Sequence, residues 1–222
     1  MYMLTGGEPQ HLQARLPEPI HHDPSTTPRV LSILSHVLEK LVARNDQLSS
    51  GGEGGSAGWG KNLSAFHGVR PPAISLEKYV ERIYKYTKCS PSCFVVGFVY
   101  IDRVVHKYPD SLVVSLNVHR LLVTSVMVAS KILDDVHYNN AFYARVGGVS
   151  NAELNRLELE LLFLLDFGVS VSSRVFESYC QHLEKEMLCN GVVERPAITH
   201  NIDDVTEISV EDTQTSSPPQ LV

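Results

Sequence analysis

One stretch constrains this chain more than any other: LLVTSVMVASKILDD, residues 121–135, where apolar and small hydroxyl side chains run on until a single lysine, Lys131, interrupts them. The run is far short of the ~18–20 apolar residues needed to cross a bilayer, so a membrane span is excluded and a helix covered by other parts of the chain is expected. At 100° per residue, Leu122, Val126, Ala129 and Leu133 share one face and are expected to enter a core. Lys131 falls on the other side, with Arg120, Thr124, Met127, Val128, Asp134 and Asp135. A lysine in a last helical turn ordinarily complements the helix dipole and lays its stem over apolar neighbours. What else Lys131 does depends on what stands beside it.

The covering material is present. With 222 residues, 43% of them hydrophobic, the chain suffices for one ordinary core plus tails. From AISLEKYVERIYKYTK onward, each segment has a helical pattern and a stop: PSCFVVGFVYIDRVVHKYP, NVHRLLVTSVMVASKILDD, NNAFYARVGG, SNAELNRLELELLFLLDF and SRVFESYCQHLEKEML. Ser90, Asn117, Asn140 and Ser150 stand where N-caps are expected, while Pro109, Gly147, Gly148 and Gly168 end or interrupt the pattern. FVVGFVYI alone reads as a strand, but its continuation to Lys107 and the preceding Ser-Pro favour helix. The spacing therefore predicts an all-α domain of five or six helices. Ahead of it, apolar residues at 30, 31, 34, 37, 38, 41 and 42 make an amphipathic helix beginning near Pro28. The expected organisation is an irregular N-terminus over 1–27, that helix over 28–45, a Gly/Ser-rich linker over 46–66, the helical domain over 67–189 and a disordered acidic tail over 190–222. The linker is long enough for the first helix either to dock on the domain or to reach a partner.

The formal net charge of −6 and pI near 5.9 argue against a protein that coats nucleic acid or anionic membrane, both of which demand a concentrated basic face. Protein is the expected partner class. Cys89, Cys93, Cys180 and Cys189 form no C-x-x-C pair and no zinc spacing, so reduced thiols in an intracellular protein are expected, with no metal and no cofactor. No Ser/His/Asp or Cys/His set suggests catalysis. Lys78, Arg82 and Lys85 line one face of a helix, a pattern that suits either solvent or an acidic ligand.

In SNAELNRLELELLFLLDF the polar face is Glu153, Arg156 and Glu160, but Glu158 points into a stripe of Leu154, Leu161, Leu162 and Leu165. A carboxylate so placed must pair with a cation, reach water or lie at an interface. Together with Lys131 it suggests a docking surface. At these residues YIDRV, HRLLVTSVMVASKILDD, NNAFYARVGG and LNRLELELLFLLDF resemble the cyclin box. The NN-x-x-YA-x-VGG-x-S-x-x-E-x-N-x-LE run is similar to plant P-type (U-type) cyclins, relatives of the yeast phosphate-regulation cyclin. The resemblance covers roughly 28–188.

It implies a single cyclin box, five helices around a central third one, here residues 117–135, where Ser125, Ala129 and Ser130 are small enough to admit close neighbours. It implies a non-catalytic regulatory subunit that binds and activates a cyclin-dependent kinase as a heterodimer, in nucleus or cytoplasm. Lys131 and Glu158 would be polar anchors to the kinase backbone, with Val128, Ile132, Leu162, Phe167 and Val169 forming an apolar seat. The Met-Arg-Ala-Ile-Leu-x-x-Trp segment of mitotic cyclins is replaced by GVRPPAISLEKY, which removes the usual substrate-docking patch and the arginine that would pair with Asp102. Arg70 or Arg82 is expected to take its place, making Asp102 structural. Of the proline-directed phosphorylation candidates at Thr27, Ser90 and Ser217, Ser217 is the accessible one. The rival reading, a cyclin-fold transcription factor, calls for a basic face, two repeats and a zinc ribbon, none of which this sequence carries.

Overall fold

The computed structural model describes residues 27–50 and 61–189. Among these residues there is no strand. The elements are α1 (Arg29–Ser50), a short 3-10 helix (Lys61–Phe66), α2 (Leu76–Thr87), α3 (Pro91–Lys107), α4 (Val118–Leu133), α5 (Asn140–Gly147), α6 (Asn151–Leu164) and α7 (Ser173–Cys189). The ambiguous FVVGFVYI lies inside α3. Residues 1–26, 51–60 and 190–222 fall outside the described part, and with them Trp59, Ser217 and the segments expected to be irregular.

The central helix is α4, and its surroundings correct the two-faced picture. From Val118 to Ser130 every residue but Arg120 is buried, so Thr124, Met127 and Val128 are as enclosed as Leu122 and Val126. Leu133, expected inside, is exposed because it lies in the last turn, beyond the helices that wrap the rest. The wrapping is tightest against α3. A Cβ placed on Gly97 would sit 3.2 Å from the Val126 amide nitrogen and 3.3 Å from the Ser125 carbonyl carbon, so the two backbones nearly touch. Ser125 and Ala129 permit this approach by being small.

The amphipathic stripe of α1 lies on the domain. Leu31, Leu34 and Leu38 are fully buried, and α1 packs on α2, α3 and α7. Each such leucine contributes roughly 1.5–3 kcal/mol. Two polar ties fix the far end: Asn45 Nδ2 donates to the Val113 carbonyl at 2.8 Å, and Asp46 Oδ1 accepts from the Ser115 amide at 3.1 Å. The helix runs five residues past its expected end at 45, because these ties give its last turn something to hold. Part of the expected linker is also structural, with Leu63 and Phe66 of the 3-10 helix buried in the core.

The caps divide into working and non-working ones. Ser75, Asn139 and Ser150 accept the backbone N–H three residues on and cap α2, α5 and α6. Ser90 and Asn117 occupy cap positions without that bond; Asn117 instead clamps the preceding turn, accepting from Val114 N at 2.9 Å and donating to Leu112 O at 2.9 Å. The cap of α5 is Asn139 rather than Asn140, which is the first helical residue and is free for other work. Asp102 also differs from expectation. It accepts from Tyr179 Oη at 2.5 Å and lies 3.2 Å from His106 Nδ1, because α3 presents it to α7, whereas Arg70 and Arg82 line hollows beside α2. It is a tie between α3 and α7.

Candidate functional site

At the C-terminal end of α4 three helices meet in a small polar cluster. Lys131 Nζ lies 2.5 Å from Glu158 Oε1, joining α4 to α6. Asn140 of α5 donates through Nδ2 to Glu158 Oε2 at 2.7 Å and to Asn155 Oδ1 at 2.8 Å. The lysine and glutamate side chains are 28% and 17% exposed, so the pair is half-buried yet reachable. The two charges that interrupt apolar patterns therefore answer each other in the free chain. Removing either would strand its partner in a partly desolvated place, the costly case for an ion pair.

Large apolar side chains stand in solvent on the two helices that carry this pair and on the turn after α6. Ile132 and Leu133 end α4, Leu159 and Phe163 follow Glu158 on α6, and Phe167 closes the turn after it; all five are at least 44% exposed, with Phe163 at 62%. Phe163 and Phe167 meet edge to face, 5.4 Å between centroids. The turn that aims Phe167 is unusual. Asp166 and Phe167 have φ of 47° and 59°, the left-handed region that favours glycine, while Gly168, expected to end the helix, does not. Contacts from α3 hold the turn in that shape: Lys107 pairs with the Asp166 carboxylate, Arg103 Nη1 donates to Gly168 O at 2.8 Å and Tyr100 Oη donates to Val169 O at 2.7 Å. Burial pushes the Tyr100 hydroxyl pKa up to about 12, so it stays a donor throughout the physiological range.

Of the seat residues expected from sequence, Ile132 and Phe167 are exposed beside the pair, and Leu162 and Val169 are half-buried next to them. Val128 is a correction: at 3% exposure it belongs to the core and can support a surface only from beneath, since α4 is enclosed on every side up to Ser130. Asn140, Leu159 and Phe163 were not anticipated. The signal for the last two was readable as an i, i+4 apolar row lying outside the buried row of Leu154, Leu157, Leu161 and Leu164.

No helix among the described residues is long and apolar enough to cross a membrane, and no group of His, Cys, Asp or Glu among them has the arrangement of a metal site. Cys89 and Cys93 are buried; Cys93 Sγ donates to Asp134 Oδ2 at 3.3 Å, and its thiol pKa is driven up by its hydrogen bond with Cys89 and by burial.

The cyclin family pattern matches residues 28–169, from the start of α1 to the turn that carries Phe167 and Val169. The chain belongs to the cyclin family. Cyclin-U1-1 of Arabidopsis thaliana is 73% identical to it over 169 residues, covering 76% of this chain and 79% of the relative. Cyclin-P1-1 of Oryza sativa subsp. japonica is 51% identical over 167 residues, covering 72% and 63%. Cyclin-U4-1 of Arabidopsis thaliana is 47% identical over 165 residues, covering 74% and 79%. The plant P-type and U-type resemblance and the all-α cyclin box thus both hold. Membership of the cyclin family supports a regulatory role toward a cyclin-dependent kinase, in the cell cycle and kinase control, rather than an enzyme's role.

Proposed function

We propose that this cyclin binds a cyclin-dependent kinase through the surface around Lys131 and Glu158, one chain to one kinase, and holds the kinase in its active form in the nucleus or cytoplasm. The observation that carries this is the set of exposed apolar side chains on the helix ends and turn of the two helices that share a half-buried ion pair. A kinase is active when a strand lysine and a C-helix glutamate pair over the ATP phosphates, and binding energy spent on positioning that helix drives the switch. Ile132, Leu159, Phe163 and Phe167 supply the apolar area. Lys131 retains N–H donors and Glu158 retains lone pairs beyond their mutual bond, so the pair can engage the backbone of a docked helix end without either charge being buried alone. Asn140 keeps the carboxylate oriented meanwhile.

The experiment is capture and activation of co-expressed cyclin-dependent kinases by the wild type, Lys131→Glu, Glu158→Lys and the double exchange. Each single reversal should cost roughly 2–5 kcal/mol of binding, as for one member of a desolvated pair. The double exchange restores the internal pair, so its circular dichroism and melting temperature should return to normal while kinase capture stays impaired. Undiminished capture by a folded single reversal would sink the assignment. Capture without a rise in kinase activity would make the chain a scaffold.

A further inference from the structure

Where the end of α2 and the start of α3 meet the C-terminal end of α4, two enclosed thiols sit among polar side chains. Cys89 is 5% exposed and Cys93 is fully buried. A buried cysteine ordinarily acts as a small apolar filler. These two have hydroxyls and a carboxylate around them instead. Thr87 Oγ1 lies 3.3 Å from Cys89 Sγ, and the Tyr143 hydroxyl of α5 hydrogen-bonds with the same sulfur. Cys93 Sγ lies 3.3 Å from both Ser90 Oγ and Asp134 Oδ2 and donates to the carboxylate. The two sulfurs are themselves in hydrogen-bond contact. The local chain brings them together: Lys88, with φ of 50°, turns the end of α2 back on itself, and Cys93 N donates to Ser90 O at 2.9 Å.

Asp134 ties this pair to the Lys131 site. It is the C-cap of α4, three residues after Lys131, and its Oδ2 accepts from the Ser90 amide at 3.0 Å as well as from Cys93. Ser130, the residue before Lys131, accepts from Tyr143 Oη at 2.9 Å. The last turn of α4 is therefore held through groups that also touch the two sulfurs. The sulfurs are not equivalent. The hydrogen bond with Cys93 lowers the Cys89 thiol pKa, aided by Thr87 and Tyr143 and opposed by burial, while the Cys93 thiol is pushed up by its bond with Cys89 and by burial. Thiolate is the nucleophilic form, so Cys89, which also retains some accessible area, reacts first and Cys93 second.

We propose that Cys89 and Cys93 are a peroxide-sensitive dithiol whose closure to a disulfide loosens the last turn of α4. The Cys89 thiolate attacks one oxygen of hydrogen peroxide; an S–O bond forms, the O–O bond breaks, and the departing hydroxide takes a proton to become water. Cys93 Sγ then attacks the sulfur of the Cys89 sulfenic acid. The S–S bond forms, the S–O bond breaks, and the Cys93 proton passes through Asp134 Oδ2 to the second hydroxide, which leaves as water. Each sulfur has given up one electron, and one peroxide has become two waters. A disulfide holds its sulfurs about 2.0 Å apart and carries no S–H, so Asp134 loses its Cys93 donor and keeps the Ser90 amide. The disulfide does not depend on kinase binding; its effect on a kinase rests on the reading of the Lys131 surface given above.

The test exposes the full chain to graded hydrogen peroxide, blocks free thiols with N-ethylmaleimide in denaturant and digests with trypsin, which leaves both cysteines on one peptide, residues 89–103. That peptide should be recovered unblocked and two hydrogens lighter at doses that leave Cys180 free to be blocked, because burial, Glu184 and Glu177 raise the Cys180 thiol pKa. Dithiothreitol should reverse the change. In Cys93→Ser, Cys89 should stop at the sulfenic acid and be trapped by dimedone. Amide hydrogen exchange at residues 131–135 should quicken by about threefold or more in the disulfide form and slow again on reduction. A peptide 89–103 still fully blocked at doses that oxidise Cys180, or a disulfide that leaves exchange at 131–135 unchanged, would overturn the proposal. Kinase capture should fall in the oxidised wild type and not in peroxide-treated Cys89→Ser. A reduced chain that captures no kinase would count against the kinase reading alone, because the peptide mass and the amide exchange are read without a kinase.

Discussion

At its C-terminal end α4 keeps its charge paired with Glu158 and its apolar side chains in solvent; at its N-terminal end Tyr79 and His119 are buried and Arg120 pairs with Glu153, while Arg82 beside them has no ion-pair partner among the described residues. The difference is one of exposed apolar area against exposed charge. Contacts made through apolar area oriented by a satisfied ion pair are little affected by salt, while contacts made through cations without counter-charges weaken as salt screens them. Both rest on a helix that is enclosed from Val118 to Ser130 and pressed against α3 at Gly97, so neither end moves without the other being strained.

The largest expected effect comes from removing what both ends share. Leu34→Ala in α1 should lower stability by roughly 2–5 kcal/mol, because the leucine is fully buried and its neighbours cannot fully close the hole. Chemical denaturation would measure it, and kinase affinity of the folded protein should not change. A variant of normal stability but weakened kinase binding would mean that α1 serves only one end. Next is Phe163→Ala, which should cost about 2 kcal/mol of kinase affinity by calorimetry while changing stability by no more than about 0.5 kcal/mol, as for an exposed anchor. If stability falls instead, the aromatic pair with Phe167 is holding the turn and the side chains at this end are structural as well as exposed.

A smaller effect is specific to the N-terminal end. The folded pKa of His119 lies below its ordinary 6.5 because the ring is desolvated, with Arg120 adding to the lowering and the Ile74 hydrogen bond opposing it; Tyr79 and Arg82 also stand beside the ring. Above pH 6.5 the ring is neutral in both states and its contribution is fully present. As the pH drops below 6.5 the unfolded chain takes up a proton that the folded chain refuses, so stability is lost until the folded pKa is reached. The melting temperature should therefore fall between pH 7.5 and 5.5, less so for His119→Gln. An equal slope in the variant would place the titration elsewhere, His67 being the other histidine among the described residues whose pKa burial lowers. The smallest effect expected is that of Arg70→Gln with Arg82→Gln, within about 0.5 kcal/mol on stability and nil on kinase binding. Loss of kinase binding there would extend the kinase surface to this end of α4.

The all-α class and the helices were legible because periodicity and caps are local signals, and two charges in apolar rows singled out Lys131 and Glu158 as residues in need of partners. What the sequence could not supply was who meets whom. It offered a lysine and a glutamate without showing that they pair with each other, and it read Asn140 as a cap although Asn139 does that work. Val128 seemed available because a helical wheel has two sides, whereas a central helix has neighbours all round. Asp102 was expected to need an arginine, but α7 brings Tyr179 from 77 residues away. Long-range contacts of that kind leave no periodic trace.

The left-handed turn at Asp166 and Phe167 has a consequence for how this surface can vary. A bulky side chain in that backbone region carries roughly 1–3 kcal/mol of conformational strain, which Lys107, Arg103 and Tyr100 of α3 must outweigh. Glycine at 167 would relax the backbone and delete the aromatic ring, so selection for a sturdier fold and selection for recognition pull this position in opposite directions. An aromatic residue can persist there only while the three α3 side chains persist with it. Loss of the exposed Arg103 contacts would therefore be felt first as a drift in where Phe167 points, in a protein whose melting curve still looked nearly normal, whereas loss of the fully buried Tyr100 would lower stability as well.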